Sequence, residues 1–246
     1  MSLIPNGFPS FNRSHQPQPL TEGHALELSL MAPLDAFQGF ESVAGIPKRV
    51  ISEGWITRTD DPTYKRSVFI TREFDPTTGT YSNHSTLKGP DGELSVEEKT
   101  AWDMREGLSS KGNLTHPSGP SGDVRTKQSY LPLDEGGGVH TEGTLGDISF
   151  GRDERMEDLP EPEGGLTSAI SHQDGYIFGP DRQGVKFYRQ LTSDLASGIT
   201  TIAGKFGSLE ETGLITLNSA PNSVDVKREV GPYRIRQTII VEQHSP

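Results

Sequence analysis

Apolar and polar residues alternate in several short stretches of this chain, separated by turn-forming residues. Residues 25–31, Ala-Leu-Glu-Leu-Ser-Leu-Met, place Leu26, Leu28 and Leu30 on one face, the pattern of a half-buried strand, and Pro33 ends it. Residues 49–88 predict a β-meander. Its first strand runs over 49–59 with Trp55 and Ile56, and Asp60-Asp61-Pro62 marks a turn. The second, over 65–74, puts Val68, Ile70, Arg72 and Phe74 on one side and Phe69 and Thr71 on the other. Asp75 to Gly79 is a further turn, with glycine free to take positive φ. The third strand, over 80–87, is polar and predicts a sheet edge.

The best helical signal follows. Ser95 and Glu98 fit a capping box, in which each side chain satisfies the other residue's free backbone donor. Ala101, Met104 and Leu108 follow at helical spacing and Gly107 is a stop, which predicts a helix over 96–106.

Residues 107–165 carry Gly119-Pro120, Gly136-Gly137-Gly138 and Pro160-Glu161-Pro162, with few apolar residues between them. Such a stretch is too long for an ordinary loop in a compact domain and predicts a linker, an insert or an extended binding segment. Its acidic run, Asp153 to Glu163, predicts a solvated loop. Alternation returns in 166–246. Tyr176-Ile177-Phe178, a Gly-Pro-Asp turn and residues 185–192 predict a hairpin. In the last strand Tyr233, Ile235, Ile239 and Val241 face one way, and Arg234, Arg236 and Glu242 the other. Tyr188, Leu191, Leu195, Ile199 and Ile202 have a helical period, but Gly198 and the β-branched run after it limit any helix to two turns near 191–197.

The expected fold is therefore mainly β with long loops and one short helix: antiparallel meander or sandwich-like elements, an extended arm and an insertion. The segments are an N-terminal arm over 1–24, a β-meander plus helix over 25–106, a Gly/Pro-rich extended segment over 107–165 and a C-terminal antiparallel β domain over 166–246.

Composition sharpens this picture. Only 31% of the residues are hydrophobic, and 28 glycines and 18 prolines fall in 246 residues, so some segments should pack and others should not. A net charge of −11 with no basic stripe argues against nucleic acid. There is no cysteine, hence no disulfide framework or thiolate site. Residues 1–7 show no signal-peptide pattern, and no stretch is long and apolar enough for a membrane helix.

Motifs for phosphate loops, nucleophile elbows, zinc proteases and dinucleotide sites are absent. The seven histidines are scattered singly. Asp60-Asp61, Glu97-Glu98 and Glu210-Glu211 are paired carboxylates, but adjacent strand residues point to opposite faces, which makes acid–base work by such a pair a poor fit. No cofactor is implied.

These features lead to the expectation of a non-enzymatic structural or assembly protein in a multi-subunit particle, such as a capsid-associated, neck, tail or baseplate component of a virion. Ile4, Phe8, Phe11, Tyr130, Leu131 and Leu133 stand singly along polar stretches and are the candidate contacts with neighbouring protein subunits. The chain is then an oligomer within a larger assembly, made in the cytoplasm, binding neither nucleic acid nor membrane. The alternatives are a glycan- or receptor-binding β module on a fibre, and a carboxylate-based hydrolase.

Overall fold

The computed structural model describes residues 20–31, 47–103, 107–115, 122–131, 137–157, 168–218 and 222–243. One helix, α1 (Glu22–Met31), precedes fourteen strands: β1 (Arg49–Arg58), β2 (Lys65–Asp75), β3 (Thr80–Gly89), β4 (Gly92–Asp103), β5 (Gly107–Thr115), β6 (Gly122–Leu131), β7 (Gly138–Leu145), β8 (Ile148–Met156), β9 (Ser168–Phe178), β10 (Gly184–Asp194), β11 (Ile199–Phe206), β12 (Leu209–Asn218), β13 (Ser223–Val230) and β14 (Tyr233–Glu242). Each strand pairs antiparallel with its neighbours in sequence. β14 returns to β1, with Tyr233 opposite Arg58 and Glu242 opposite Arg49, so the sheet closes into a barrel and has no free edge.

The strands form where side chains at a period of two suit a wall with two different faces. In β14, Tyr233, Ile235, Gln237 and Ile239 point inward and are buried, while Thr238, Ile240 and Glu242 point outward and are exposed. Tight hairpins turn the chain at one end of the barrel. Gly207 and Gly231 sit in two-residue turns with φ of 63° and 53°, a conformation that costs glycine nothing and other residues a steric penalty.

Inward-facing glycines make room for large neighbours. A Cβ on Gly175 of β9 would stand 2.2 Å from the ring of Phe187 and 2.6 Å from the Gly151 carbonyl oxygen. The Phe187 ring therefore occupies the space that a side chain at position 175 would take. Gly175→Val should destabilise the barrel by about 3 kcal/mol, the upper end of ordinary overpacking costs, because backbone as well as ring must move. Urea unfolding of the variant checks this, and an unchanged midpoint would contradict the packing described.

The mainly β reading with one helix holds, but its arrangement does not. The expected sandwich with a long arm and insertion is a closed barrel. The described parts of residues 107–165, expected as an extended insert, supply β5 to β8, and Leu114, Val124, Leu145, Ile148 and Phe150 from this stretch are buried in the chain's own core rather than against neighbours. Of the expected helix over 96–106, residues 96–103 belong to β4, and residues 104–106 lie outside the described residues. Leu94, Val96 and Glu98 point inward there at a period of two, and β3 and β5 satisfy the backbone on both sides, which outweighs the local capping signal.

The expected strand over 25–31 is part of α1. This helix is enclosed by the barrel, so residues on all its faces are buried and the usual one-sided stripe is missing. Thr21 caps it, its hydroxyl accepting from the His24 amide at 3.2 Å. Helical turns near 191–197 are replaced by the β10–β11 turn. There the Asp194 carboxylate accepts from the Ala196 amide and the Ser197 hydroxyl, at 3.0 and 2.8 Å. The polar third strand is not an edge, since β2 and β4 flank it. The expected arm falls mostly outside the described residues.

Candidate functional site

The inward-facing residues form levels along the barrel axis. Next to α1 lies an apolar level to which every strand contributes, including Ile56, Val68, Leu87, Val96, Leu114, Phe150, Phe187, Phe206 and Ile235. One residue pair further along, the lining turns polar. Ser52, Ser85, Glu98, Ser110, Thr126, Thr141, Arg152, Gln173, Arg189, Glu211, Arg228 and Gln237 form a buried belt around the wall. Beyond the belt, on β10 to β14, Leu191, Ile202, Ile215, Val224, Val226 and Ile239 make a second apolar cluster, with Val50 of β1 packed against it.

The belt is held by charge. Glu211 accepts from the Arg189 Nε at 2.8 Å and from the Arg228 Nε at 2.9 Å, and its second contact with Arg228, at Nη2, is 2.7 Å. Arg189 and Glu211 lie on β10 and β12. Between them, in register with both, is Gly204 of β11, and its lack of a side chain leaves the path across β11 open. Burial alone would push the Glu211 pKa up. The adjacent charges of Arg228 and Arg189 outweigh it and hold the carboxyl down to about 2. Arg152 pairs with Glu154 at 3.3 Å. Glu98 differs: burial pushes its pKa up, only partly offset by the Ser110 hydroxyl at 2.5 Å and the charge of Arg72.

One mouth is closed by α1. Glu27, on the helix, is buried with Arg66 of β2 at 3.2 Å and accepts from the Tyr64 hydroxyl. Arg66 also pairs with Asp91 in the β3–β4 turn at 2.7 Å. Glu22 accepts from the Ser208 amide of the β11–β12 turn at 2.5 Å, so the helix is fixed to opposite parts of the rim. At the other mouth the inward-phase side chains Tyr130, Met156 and Leu217 are 69%, 54% and 51% exposed, giving an apolar rim.

The outer wall has the opposite chemistry. Exposed charges stand in the middle of strands, among them Glu53, Glu97, Lys99, Lys111, Asp174 and Lys227, and every strand carries at least one outward charge. Over β7 to β10 the outer face bears His140 beside Asp153 at 2.5 Å, and His172 between Tyr188 and Glu157 at 3.1 and 3.3 Å.

Of the residues expected to contact neighbours, Tyr130 is at the rim opposite α1 and Leu131, at the end of β6, is half-buried. Ile4, Phe8, Phe11 and Leu133 lie outside the described residues. Asp60 and Asp61 serve the β1–β2 turn, Asp60 paired with Arg58 at 2.7 Å and Asp61 bound to the Thr63 hydroxyl at 2.6 Å. Sequence reasoning missed the belt. Its one available signal is a charge on an apolar face, as with Arg189 between Phe187 and Leu191, or Arg228 between Val226 and Val230.

Neither a protein-family model nor a curated protein sequence matches the chain. Among solved structures the fold is similar to the outer membrane protein Omp33 of Acinetobacter baumannii, with a TM-score of 0.53 at 6% identity, covering 80% of this chain and 98% of that one. At this identity the likeness is one of fold.

The closed barrel and this likeness overturn the expected virion part, whether capsid, neck, tail or baseplate. They also overturn the setting that went with it: partner subunits of one particle, and a virion location after synthesis in the cytoplasm. That expectation rested on arms and loops, and the loops are wall strands. The exclusion of a membrane falls too. It rested on the lack of a long apolar helix, and although no described helix is long and apolar enough to cross a membrane, a barrel crosses with strands.

Proposed function

We propose that this chain is a non-catalytic binding barrel that takes an amphiphilic molecule into its lumen through the mouth opposite α1. The observation that carries this reading is the polarity of the wall: apolar levels and a polar belt inside, charges outside on every strand. About eight strands make a barrel just wide enough for side chains to fill; the fourteen-strand wall is wider, and α1 takes up the extra width at one mouth. Tyr130, Met156 and Leu217 give the mouth opposite α1 an apolar rim suited to an alkyl chain. The non-catalytic part of the reading is supported by Glu211, which is locked as an ion between two guanidiniums and so is a poor acid or base.

A second reading, favoured by the likeness to an outer membrane protein, has the strands crossing a bilayer. The outer wall weighs against it. An Arg or Lys at the middle of a lipid-facing strand costs about 2–4 kcal/mol. Lys99, Lys111 and Lys227 together would bring roughly 6–12 kcal/mol, as much as the whole stability of a typical domain. The ligand reading takes lipids as cargo of the lumen rather than solvent of the wall.

The full-length protein, stripped of lipid, should bind the uncharged dye Nile red with saturable fluorescence at one site per chain, and single-chain amphiphiles should displace it. Absence of saturable binding would count against the lumen as a ligand site. Liposome flotation with protease treatment separates the second reading: a barrel that floats and becomes protected along its strands spans the bilayer.

A further inference from the structure

We infer that two copies of this chain pair through the outer faces of β14, β1 and β2. In this two-fold dimer Glu53 of each copy meets the partner's Arg236, and the two Trp55 rings pack together at the axis. The pairing is independent of what the lumen holds.

The outward side of these strands carries an apolar patch. Ile51 and Trp55 of β1, Phe69 of β2 and Ile240 of β14 all point outward, with Trp55 47% and Ile240 37% exposed. The register gathers them around one charge. Glu53 lies between Ile51 and Trp55 along β1 and stands directly opposite Phe69, while Ile240 is opposite Ile51. Glu53 is exposed, and among the described residues it has no ion pair or side-chain hydrogen bond. Arg236, directly opposite Trp55 on β14, is in the same condition. Neighbouring charges of this face are matched within the chain, Arg49 with Glu73 and Arg234 with Glu229, both at 3.0 Å.

Closure of the sheet leaves no strand edge, so a partner must meet this surface face to face rather than add a strand to it. Covering a carboxylate with apolar surface is costly unless a cation comes with it, so whatever covers the patch must bring a positive charge to Glu53. The same face carries that charge. Glu53, Trp55, Arg236 and Thr238 are the four corners of one cell of the β1–β14 ladder. Glu53 and Arg236 lie on one diagonal, and Trp55 and Thr238 on the other. A two-fold axis lying in the interface along the second diagonal brings Glu53 of one copy onto the partner's Arg236, and Arg236 onto the partner's Glu53. Two identical ion pairs then form at once, and Trp55 stands over its own counterpart. Tryptophan and arginine are the residues that most often anchor protein interfaces. A contact of this self-complementary kind closes on two molecules.

Sedimentation velocity of the full chain over a concentration series should show a monomer–dimer equilibrium. Trp55→Ala should weaken the dimer roughly thirtyfold or more, the usual loss at a central tryptophan anchor. Glu53→Arg and Arg236→Glu should each weaken it roughly tenfold or more, since each sets like charges across the interface. All three positions are on the outer wall, so the urea midpoints of the monomeric variants should match that of the wild type. The decisive sample is a mixture. Glu53→Arg carries a cation at both positions and Arg236→Glu an anion at both, so the two variants should pair with each other at near wild-type strength although neither pairs with itself. That result requires a second copy of this chain and this register. A monomeric wild type would overturn the inference and leave the patch to a basic partner of another kind. Charge variants that dimerise as well as the wild type, or that stay apart when mixed, would overturn it as well.

Discussion

Glu211→Ala is expected to cost about 3–5 kcal/mol of folding stability, the usual consequence of removing one partner from a buried ion pair. The loss comes from what stays behind. Arg189 and Arg228 each remain with a side chain about 2% exposed, and each loses its short contact with the carboxylate. Chemical denaturation should show a lower midpoint. A loss below about 1 kcal/mol would mean that water reaches the belt freely. Converting all three residues to apolar ones of similar volume should restore much of the loss, since a fully replaced ionic cluster no longer holds unpaired charge.

The same site gives wild-type stability a pH dependence with a defined sign. The folded pKa of Glu211, about 2, lies below its ordinary 4.5. A depressed carboxylate contributes stability that is complete above the unfolded value and lost as pH falls through the folded one. The window is therefore about pH 4.5 down to about 2, and the shift corresponds to about 3 kcal/mol. Comparing wild type with Glu211→Ala across that window isolates the contribution: their midpoints should converge as the pH falls. Midpoints that stay equally far apart would assign the effect to other groups.

How much of this barrel is legible in the sequence depends on the level of the lumen that a strand crosses. β14 reads correctly because three of its first four inward residues, Tyr233, Ile235 and Ile239, are apolar. β9 and β10 read as a hairpin for the same reason. β5 does not. Its inward residues are Leu108, Ser110, Gly112 and Leu114, so the polar belt and a space-making glycine interrupt the alternation at the middle of the strand. β6 and β7 have the same composition inside, with Thr126, Gln128, Thr141 and Gly143. Read locally, this is loop chemistry. It becomes strand chemistry only when a neighbour on each side satisfies the backbone, and that is a property of the closed sheet. Closure itself leaves no local mark, because the pairing of β1 with β14 joins segments at opposite ends of the chain. The capping box at Ser95 and Glu98 is a real local preference that tertiary pairing overrides, and Glu98 becomes part of the belt instead. The helix α1 was hidden because a helix buried on all sides needs no polar face.

Leu26→Ala and Leu30→Ala should each cost about 2–5 kcal/mol, because both side chains are completely buried where α1 meets the wall, leaving cavities that a closed sheet cannot collapse to fill. The two residues are four apart and stack on one side of the helix. The double variant therefore attacks a single contact surface, and the two losses need not add. The wall does not depend on that surface for its backbone hydrogen bonds, since every strand is paired on both sides by other strands. The polar contacts of α1, from Glu27 to Arg66 and Tyr64 and from Glu22 to the Ser208 amide, remain in both variants. Loss should thus appear as a lower thermal midpoint, on the order of 5–15 °C for a chain of this size. The strand signal in far-ultraviolet circular dichroism should be kept below the transition. If the wall instead unfolds together with the helix at ambient temperature, α1 is a nucleus of the barrel and not a plug set into it. Wild-type stability in both single variants would show that the helix does not pack in the mouth at all. Opening this mouth also bears on binding. An amphiphile that enters at the apolar rim of Tyr130, Met156 and Leu217 should reach the belt at an unchanged rate when α1 is loosened. One that enters past the helix should bind faster. Stopped-flow association of Nile red with the Leu26→Ala variant, at a temperature where it stays folded, separates the two routes.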